Sequence, residues 1–158
     1  MVIHPLKPLF SKDSKTLILG SFPSVKSREL NFFYAHPQNR FWKVISSIFN
    51  TCTPKTDCEK TKLILDNNLA LYDVIYSCDI NSSSDSTIKN VTPSDLSYVI
   101  KNSRIDRVFV NGKTAEFYYK KYIEDALNIK CCLLPSTSPA NATFTLEKLI
   151  ETWSVIKA

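Results

Sequence analysis

Residues 15–20 read KTLILG, an apolar run far too short to span a membrane and almost uninterrupted by polar residues. A strand buried on both faces reads this way, because helices above and below a parallel sheet leave neither face to water. Working outward, ALYDVIYS (70–77), DRVFVN (106–111) and KCCLL (130–134) repeat the signature. Between them lie helical patterns. Asn39–Asn50 carries Phe41, Val44, Ile45, Ile48 and Phe49 at the i, i+3, i+4, i+7, i+8 spacing of one helix face, with Trp42 on its flank. Weaker patterns predict helices over 57–67 and 113–126. TPSD (92–95) has the residues of a capped helix start, and Thr143 or Thr145 starts a last helix running to about Lys157. Strands alternating with helices imply right-handed crossovers and parallel pairing. The expected fold class is α/β, a three-layer α/β/α sandwich around a central four-stranded parallel sheet, in one domain over residues 1–158.

The bulk composition agrees with this reading. The chain has 158 residues, of which 44% are hydrophobic and 22% charged, enough for one domain with a proper core. No apolar run approaches the ~18–20 residues of a membrane helix. The N-terminus lacks the apolar core and cleavage site of a signal peptide, so a cytoplasmic protein with no membrane partner is expected. The net charge of +5 leans mildly toward a polyanionic partner. Five cysteines, an odd number without a C-x-x-C pair, argue against a disulfide framework and a structural zinc site. They are expected to be reduced and mostly buried.

In such sheets ligands sit beyond the carboxyl ends of the strands. The segments there are GSFPS (20–24) with its continuation to Asn39, CDINSSSDS (78–86), NGK (111–113) and PSTSPANA (135–142). The only two glycines, Gly20 and Gly112, each follow a predicted strand, where a positive φ or a close backbone approach is wanted. There is no phosphate-binding glycine motif and no nucleophile elbow. With two histidines, His4 and His36, a multi-histidine metal site is excluded. What remains are aromatics (Phe22, Phe32, Phe33, Tyr34), amides (Asn39, Asn81, Asn111, Asn141), hydroxyls and one carboxylate, Asp85. Aromatics with amides suit a flat heterocycle, whose ring stacks while the amides read its edge.

LILGSFPS, FYAHPQNRFWKVI and LLPSTSPANA together resemble the uracil-DNA glycosylase superfamily. YAHPQNRFWKVI is similar to the matching stretch of the mismatch-specific uracil/thymine enzymes. GSFPS, SSDSTIKN, FVNGK and LPSTSPA look closer to the hypoxanthine-DNA (deoxyinosine) branch. The resemblance implies a monofunctional enzyme that flips a deaminated base from double-stranded DNA and hydrolyses its bond to the sugar, without cofactor or metal, as a monomer. It implies catalysis by Asn39, with Asp85 as a general base or cation stabiliser. Base contacts would come from Gly20, Ser21, Phe22, Tyr34, His36, Asn111 and Ser136. Arg40, Lys113, Ser138, Pro139, Ala140 and Asn141 would face DNA, the small residues of the last loop forming a weak wedge.

The chain departs from the family pattern in two places. Phe22 stands where the mismatch-specific branch has a water-activating asparagine, and Ser136 stands where a histidine or asparagine is usual. These losses shift the expected chemistry to Asn39 or Asp85. Uracil or G:T mismatch removal, a silent nucleic-acid-binding module and a small-ester or nucleoside hydrolase remain the alternatives at this point.

Overall fold

The computed structural model describes residues 1–157. In chain order the elements are β1 (Val2–Ile3), β2 (Thr16–Gly20), α1 (Val25–Leu30), α2 (Phe41–Ile48), α3 (Asp57–Asp66), β3 (Leu69–Asp73) and β4 (Ile75–Asp79). They continue with β5 (Lys89–Pro93), α4 (Ser97–Lys101), β6 (Arg107–Asn111), α5 (Lys113–Tyr122), α6 (Glu124–Leu127), β7 (Cys131–Leu134) and α7 (Leu146–Trp153). The central sheet has the order β3-β2-β6-β7, and every neighbouring pair is parallel. Helices flank it, giving the expected α/β/α layers. All five residues of β2 and all five of β3 are buried, as their continuous apolar runs require.

α2 forms where the periodicity places it, and it buries Phe41, Trp42, Val44, Ile45, Ser46 and Ile48. Its main helical partner is α7. Phe41 meets Trp153 edge to face at 5.9 Å. Two buried indoles then fasten loops to this layer. Trp42 Nε1 donates to Phe33 O at 3.1 Å, and Trp153 Nε1 donates to Pro135 O at 2.9 Å. The second and third of the three family-like motif segments are thus tied to the same helix pair.

Three sequence expectations are corrected. The strand read over 70–77 is two strands: after Val74 the chain leaves the parallel sheet as β4 and joins a small antiparallel sheet of order β1-β4-β5. Residues 92–95 do not open a helix. Thr92 and Pro93 end β5, which pairs only with β4, and an edge strand tolerates a proline. The helix follows at Ser97, after Asp95 Oδ1 has accepted hydrogen bonds from the Ser97 amide and hydroxyl. The thiols are not mostly buried either: Cys52, Cys58 and Cys132 are exposed, and only Cys78 is fully enclosed.

If α2 is held by its buried stripe, Ile45→Ala will cost about 2–5 kcal/mol of unfolding free energy. Lys43→Ala, on the exposed face of the same helix, will stay within about 0.5 kcal/mol. Urea denaturation of both variants checks this, and equal costs would contradict it.

Candidate active site

The parallel register sets the site. β2 ends at Gly20 beside Asp73, the last residue of β3, and β6 ends at Asn111 beside Leu134 of β7. Gly20, Asp73, Asn111 and the 135–142 loop therefore meet at the carboxyl edge of the sheet. The two glycines are there for different reasons. Gly112 has φ +97° and stands as the N-cap of α5. Gly20 is needed for close approach, because a Cβ there would collide with Asp73 Oδ1 and lie 3.1 Å from the Tyr34 hydroxyl.

Asp73 is buried, and His4 Nε2 lies 2.7 Å from its Oδ2. The Leu6 amide donates to His4 Nδ1 at 3.1 Å, so the proton in the histidine–aspartate bond comes from Nε2. The His4 ring stacks on Tyr72 at 4.4 Å. Sequence reasoning passed over both residues. An aspartate ending the apolar run LALYD was a usable signal for Asp73. His4 lies far upstream of every motif and gave none.

Tyr34 occupies the left-handed region at φ +50°, unusual for a bulky side chain and a mark of functional loops when it occurs. Its ring stacks on Phe41 at 4.0 Å, so a ligand ring would have to use the opposite face. Its hydroxyl is buried without a hydrogen-bond partner. Burial pushes this phenol far above its ordinary pKa, the Asp73 charge adds to the shift, and the Asn111 amide opposes it.

Asp85 begins a short 3-10 turn (Asp85–Thr87) and is reached from the first motif. Ser21 Oγ donates to its two carboxylate oxygens at 3.1 and 3.2 Å. Asp85 is exposed as a residue, but atoms packed around its carboxylate displace part of its water and raise its pKa; hydrogen bonds from Ser21 and Thr114 oppose the shift, and the charge of Asp73 adds to it. Arg28 Nη2 donates to Ser82 O at 2.7 Å, and the Val25 amide donates to Ser83 Oγ at 2.9 Å, which holds the serine loop against α1.

On the other side stands a chain of amides and one hydroxyl. The Thr137 amide donates to Asn111 Oδ1 at 3.0 Å, and Asn111 Nδ2 donates to Thr137 Oγ1 at 3.0 Å. Thr137 Oγ1 donates to Asn39 Oδ1 at 2.8 Å, which also accepts from the Phe41 amide at 3.0 Å. Asn39 precedes Arg40, the N-cap of α2, so it is not itself the N-cap, and its oxygen accepts from the first helical amide one residue outside the capping position. Thr137 is fully buried, and the sequence reading named its neighbours but not it.

Phe22 is buried against His4 at 5.9 Å, with the Arg28 guanidinium 5.7 Å from its ring centre. His36 is exposed, and its Nδ1 accepts from the Gln38 amide at 3.1 Å, a turn-forming contact. Ser136 Oγ accepts from the Ser138 amide, and Asn141 Nδ2 donates to Ser136 O, both bonds shaping the last loop. Ser138 is half-buried and its Oγ accepts from the Ala140 amide, while Pro139 and Ala140 are exposed at the tip. Arg40 departs from its expected phosphate contact. Its two Nη atoms donate to the carbonyls of Phe144, Ser138 and Asn141, so the guanidinium straps the 138–144 loop to the start of α2. Lys113 is exposed at the first position of α5. A cation there opposes the helix dipole.

The arrangement offers amide and hydroxyl donors, a raised-pKa carboxylate and an aromatic face. Among the described residues no cluster of three or more His, Cys, Asp or Glu could hold a metal ion. No described helix is long and apolar enough to cross a membrane.

Residues 8–157 match the family model of the uracil DNA glycosylase superfamily. The chain is similar to a hypoxanthine DNA glycosylase of Methanosarcina acetivorans, 25% identical over 158 residues and covering 99% of this chain and 98% of the relative. It is also similar to a hypoxanthine DNA glycosylase of Methanosarcina barkeri, 27% identical over 137 residues and 85% of each chain. A solution NMR structure of a candidate uracil DNA glycosylase from Methanosarcina acetivorans superposes with a TM-score of 0.84 at 24% identity, covering 99% of this chain and 98% of that one. This likeness concerns the fold.

If Gly20 is bare because Asp73 presses on it, Gly20→Ala will cost about 1–3 kcal/mol through overpacking. The cost will shrink in an Asp73→Ala background, where the colliding oxygen is gone. Thermal or urea unfolding of the four proteins of this cycle provides the test, and strictly additive losses would refute the contact.

Proposed function

The chain belongs to the uracil DNA glycosylase superfamily, and from that premise we propose that it is a DNA glycosylase that removes hypoxanthine from deoxyinosine in double-stranded DNA. The observation that carries the reading is the convergence at one sheet edge of Asn39, Asp85 and Tyr34, an amide, a carboxylate and an aromatic ring. Two relatives that bear the name hypoxanthine DNA glycosylase support this base over uracil. The protein acts as one domain and as a monomer in the cytoplasm, and its net charge of +5 favours approach to DNA.

The reaction needs little machinery. The sugar–base bond breaks with its electron pair leaving on the base, and positive charge builds on the sugar. A water then adds at the sugar carbon and gives up a proton. Tyr34 offers the face on which the flipped base stacks, and Gly20, Ser21 and Asn111 lie around it at the sheet edge. Asp85, held by Ser21, accepts the proton of the attacking water and stabilises the cationic sugar. Asn39 contributes hydrogen bonds and transfers no proton. His36 with its free Nε2, Ser136 and the backbone at Phe22 complete the base contacts. Lys113 stands at a helix end where its charge is unfavourable until a phosphate meets it, which suits a DNA contact. The exposed tip at Pro139 and Ala140, with Ser138 and Asn141 beneath it, enters the groove as a small wedge. A small wedge suits weakly paired lesions that cost little to extrude.

Labelled duplexes containing one deoxyinosine, one uracil or one G:T mismatch, treated with the protein and then alkali, separate the readings. Cleavage at deoxyinosine is expected, and Asn39→Ala will lower the single-turnover rate by about 100-fold or more. Preference for uracil would move the substrate. DNA binding without cleavage of any substrate would defeat the enzyme reading.

The pH profile tests Asp85 separately. Its folded pKa is raised, so the carboxylate is lost at a higher pH than for an ordinary aspartate. Activity will therefore fall as pH drops through a midpoint above the usual aspartate range. Asp85→Asn will remove that acid limb along with most of the activity. A limb that survives the substitution would assign it to another group.

A further inference from the structure

We propose that Thr137 is a positioning residue that fixes the polarity of the Asn39 amide, so that Asn39 serves the departing base as a donor and takes no part in activating water. The inference rests on the glycosylase reading and assigns a direction to its central residue.

The direction follows from two backbone N–H groups, which can only donate. At one end the Thr137 amide meets Asn111 Oδ1 at 3.0 Å, which sets that atom as the carbonyl oxygen. The Asn111 atom facing Thr137 Oγ1 is then its NH2, and the threonine hydroxyl accepts from it. The single hydroxyl proton is free to point onward to Asn39, 2.8 Å away. At the other end the Phe41 amide donates to the same Asn39 atom at 3.0 Å, which makes it the oxygen independently. Both ends give one answer: Asn111 donates to Thr137, Thr137 to Asn39, and Asn39 presents its oxygen inward. A flipped Asn39 would set its NH2 against the Phe41 N–H and leave the Thr137 proton, at a fully buried residue, without its acceptor.

The chemical consequence concerns lone pairs. An amide oxygen has two, and both are taken by Thr137 and Phe41. Asn39 cannot accept a proton or a hydrogen bond from the attacking water. Its Nδ2 makes no hydrogen bond to any described residue, and it is not among the fully buried unpartnered atoms, which are Tyr34 Oη and Arg40 Nε, so Nδ2 keeps some contact with solvent. Two N–H donors are thus left without a protein partner while the relay holds the oxygen. Donation to a water lone pair would weaken it as a nucleophile. Donation to a ring nitrogen or carbonyl oxygen of the base helps, because that is where negative charge accumulates as the bond to the sugar breaks. The electron pair of that bond leaves on the base, water supplies hydroxide to the sugar carbon, and the water proton passes to Asp85.

The test is single-turnover cleavage of a deoxyinosine duplex by Thr137→Val and Thr137→Ser, each alone and with Asn39→Ala. Valine keeps the shape and removes the hydroxyl. Its rate will fall about tenfold or more with DNA affinity unchanged, and serine will restore the rate to within about threefold. In the Asn39→Ala background Thr137→Val will cost nothing further, because Thr137 acts through Asn39. A merely structural threonine would lower both backgrounds by the same factor, which would overturn the proposal. The Asn39 side-chain amide resonances, assigned by their loss in Asn39→Ala, supply a reading independent of turnover. They will shift in Thr137→Val and stay close to wild type in Thr137→Ser, and unmoved resonances would also overturn it. A wild-type protein without deoxyinosine cleavage but with the expected resonance shifts would refute the glycosylase reading and the catalytic role with it, while leaving the relay as a structural fact.

Discussion

The parallel register of the central sheet is the constraint on which everything else depends. Gly20 is paired with Asp73 on one side of β2, and Leu19 with Val110 on the other. That alignment brings the ends of three strands to one level, and the β6–β7 pairing adds Leu134 and the loop beyond it. A sheet buried on both faces must be covered by helices, and parallel strands must be joined by crossovers. Each crossover leaves its loop at the carboxyl edge, so polar residues far apart in sequence have only one place to collect. The register also explains the bare Gly20: the neighbouring strand presses a carboxylate against it, and a Cβ there would collide with the Asp73 oxygen.

Rigidity at this edge comes from the core behind it. Trp42 and Trp153 sit in one helical layer with Phe41, and their indole N–H groups hold Phe33 and Pro135. Phe41 supports the Tyr34 ring and, through its amide, orients Asn39. One core residue therefore fixes both the proposed stacking face and the proposed donor. Arg40, next to it, straps the last loop through three carbonyls. The sequence HPQNRFW is compact because four consecutive residues, Asn39 to Trp42, each carry a separate part of this scaffold.

Much of the fold was legible because burial on both faces leaves a continuous apolar strand and a helix leaves its 3.6-residue stripe. β2, α2, β6 and β7 were all read within one or two residues. The break at Val74 was not, because an extended chain passing from one sheet to another keeps the same apolar pattern. The start of α4 was misread because a threonine–proline–aspartate run has the same residues at a strand edge as at a helix cap. At the sheet edge, the motifs named the loops that meet there but not every side chain that bonds between them. Thr137 looked like one hydroxyl among several, and its importance comes from two partners on other segments, Asn111 and Asn39. Arg40 looked like a phosphate contact because sequence shows its charge and not the carbonyls that occupy it. His4 is joined to Asp73 across sixty-nine positions, a contact that no local pattern announces.

The chemistry expected of this site is hydrolysis: a base leaves with its electron pair, and water takes its place on the sugar. A single-turnover reaction of wild-type protein with a deoxyinosine duplex in ¹⁸O-labelled water, followed by mass spectrometry, tests it most directly. Hydrolysis yields free, unlabelled hypoxanthine in equal amount to abasic sites, with one ¹⁸O atom per abasic sugar before the sugar exchanges oxygen with solvent. Strand cleavage without free base, or labelled hypoxanthine left on an intact strand, would contradict it.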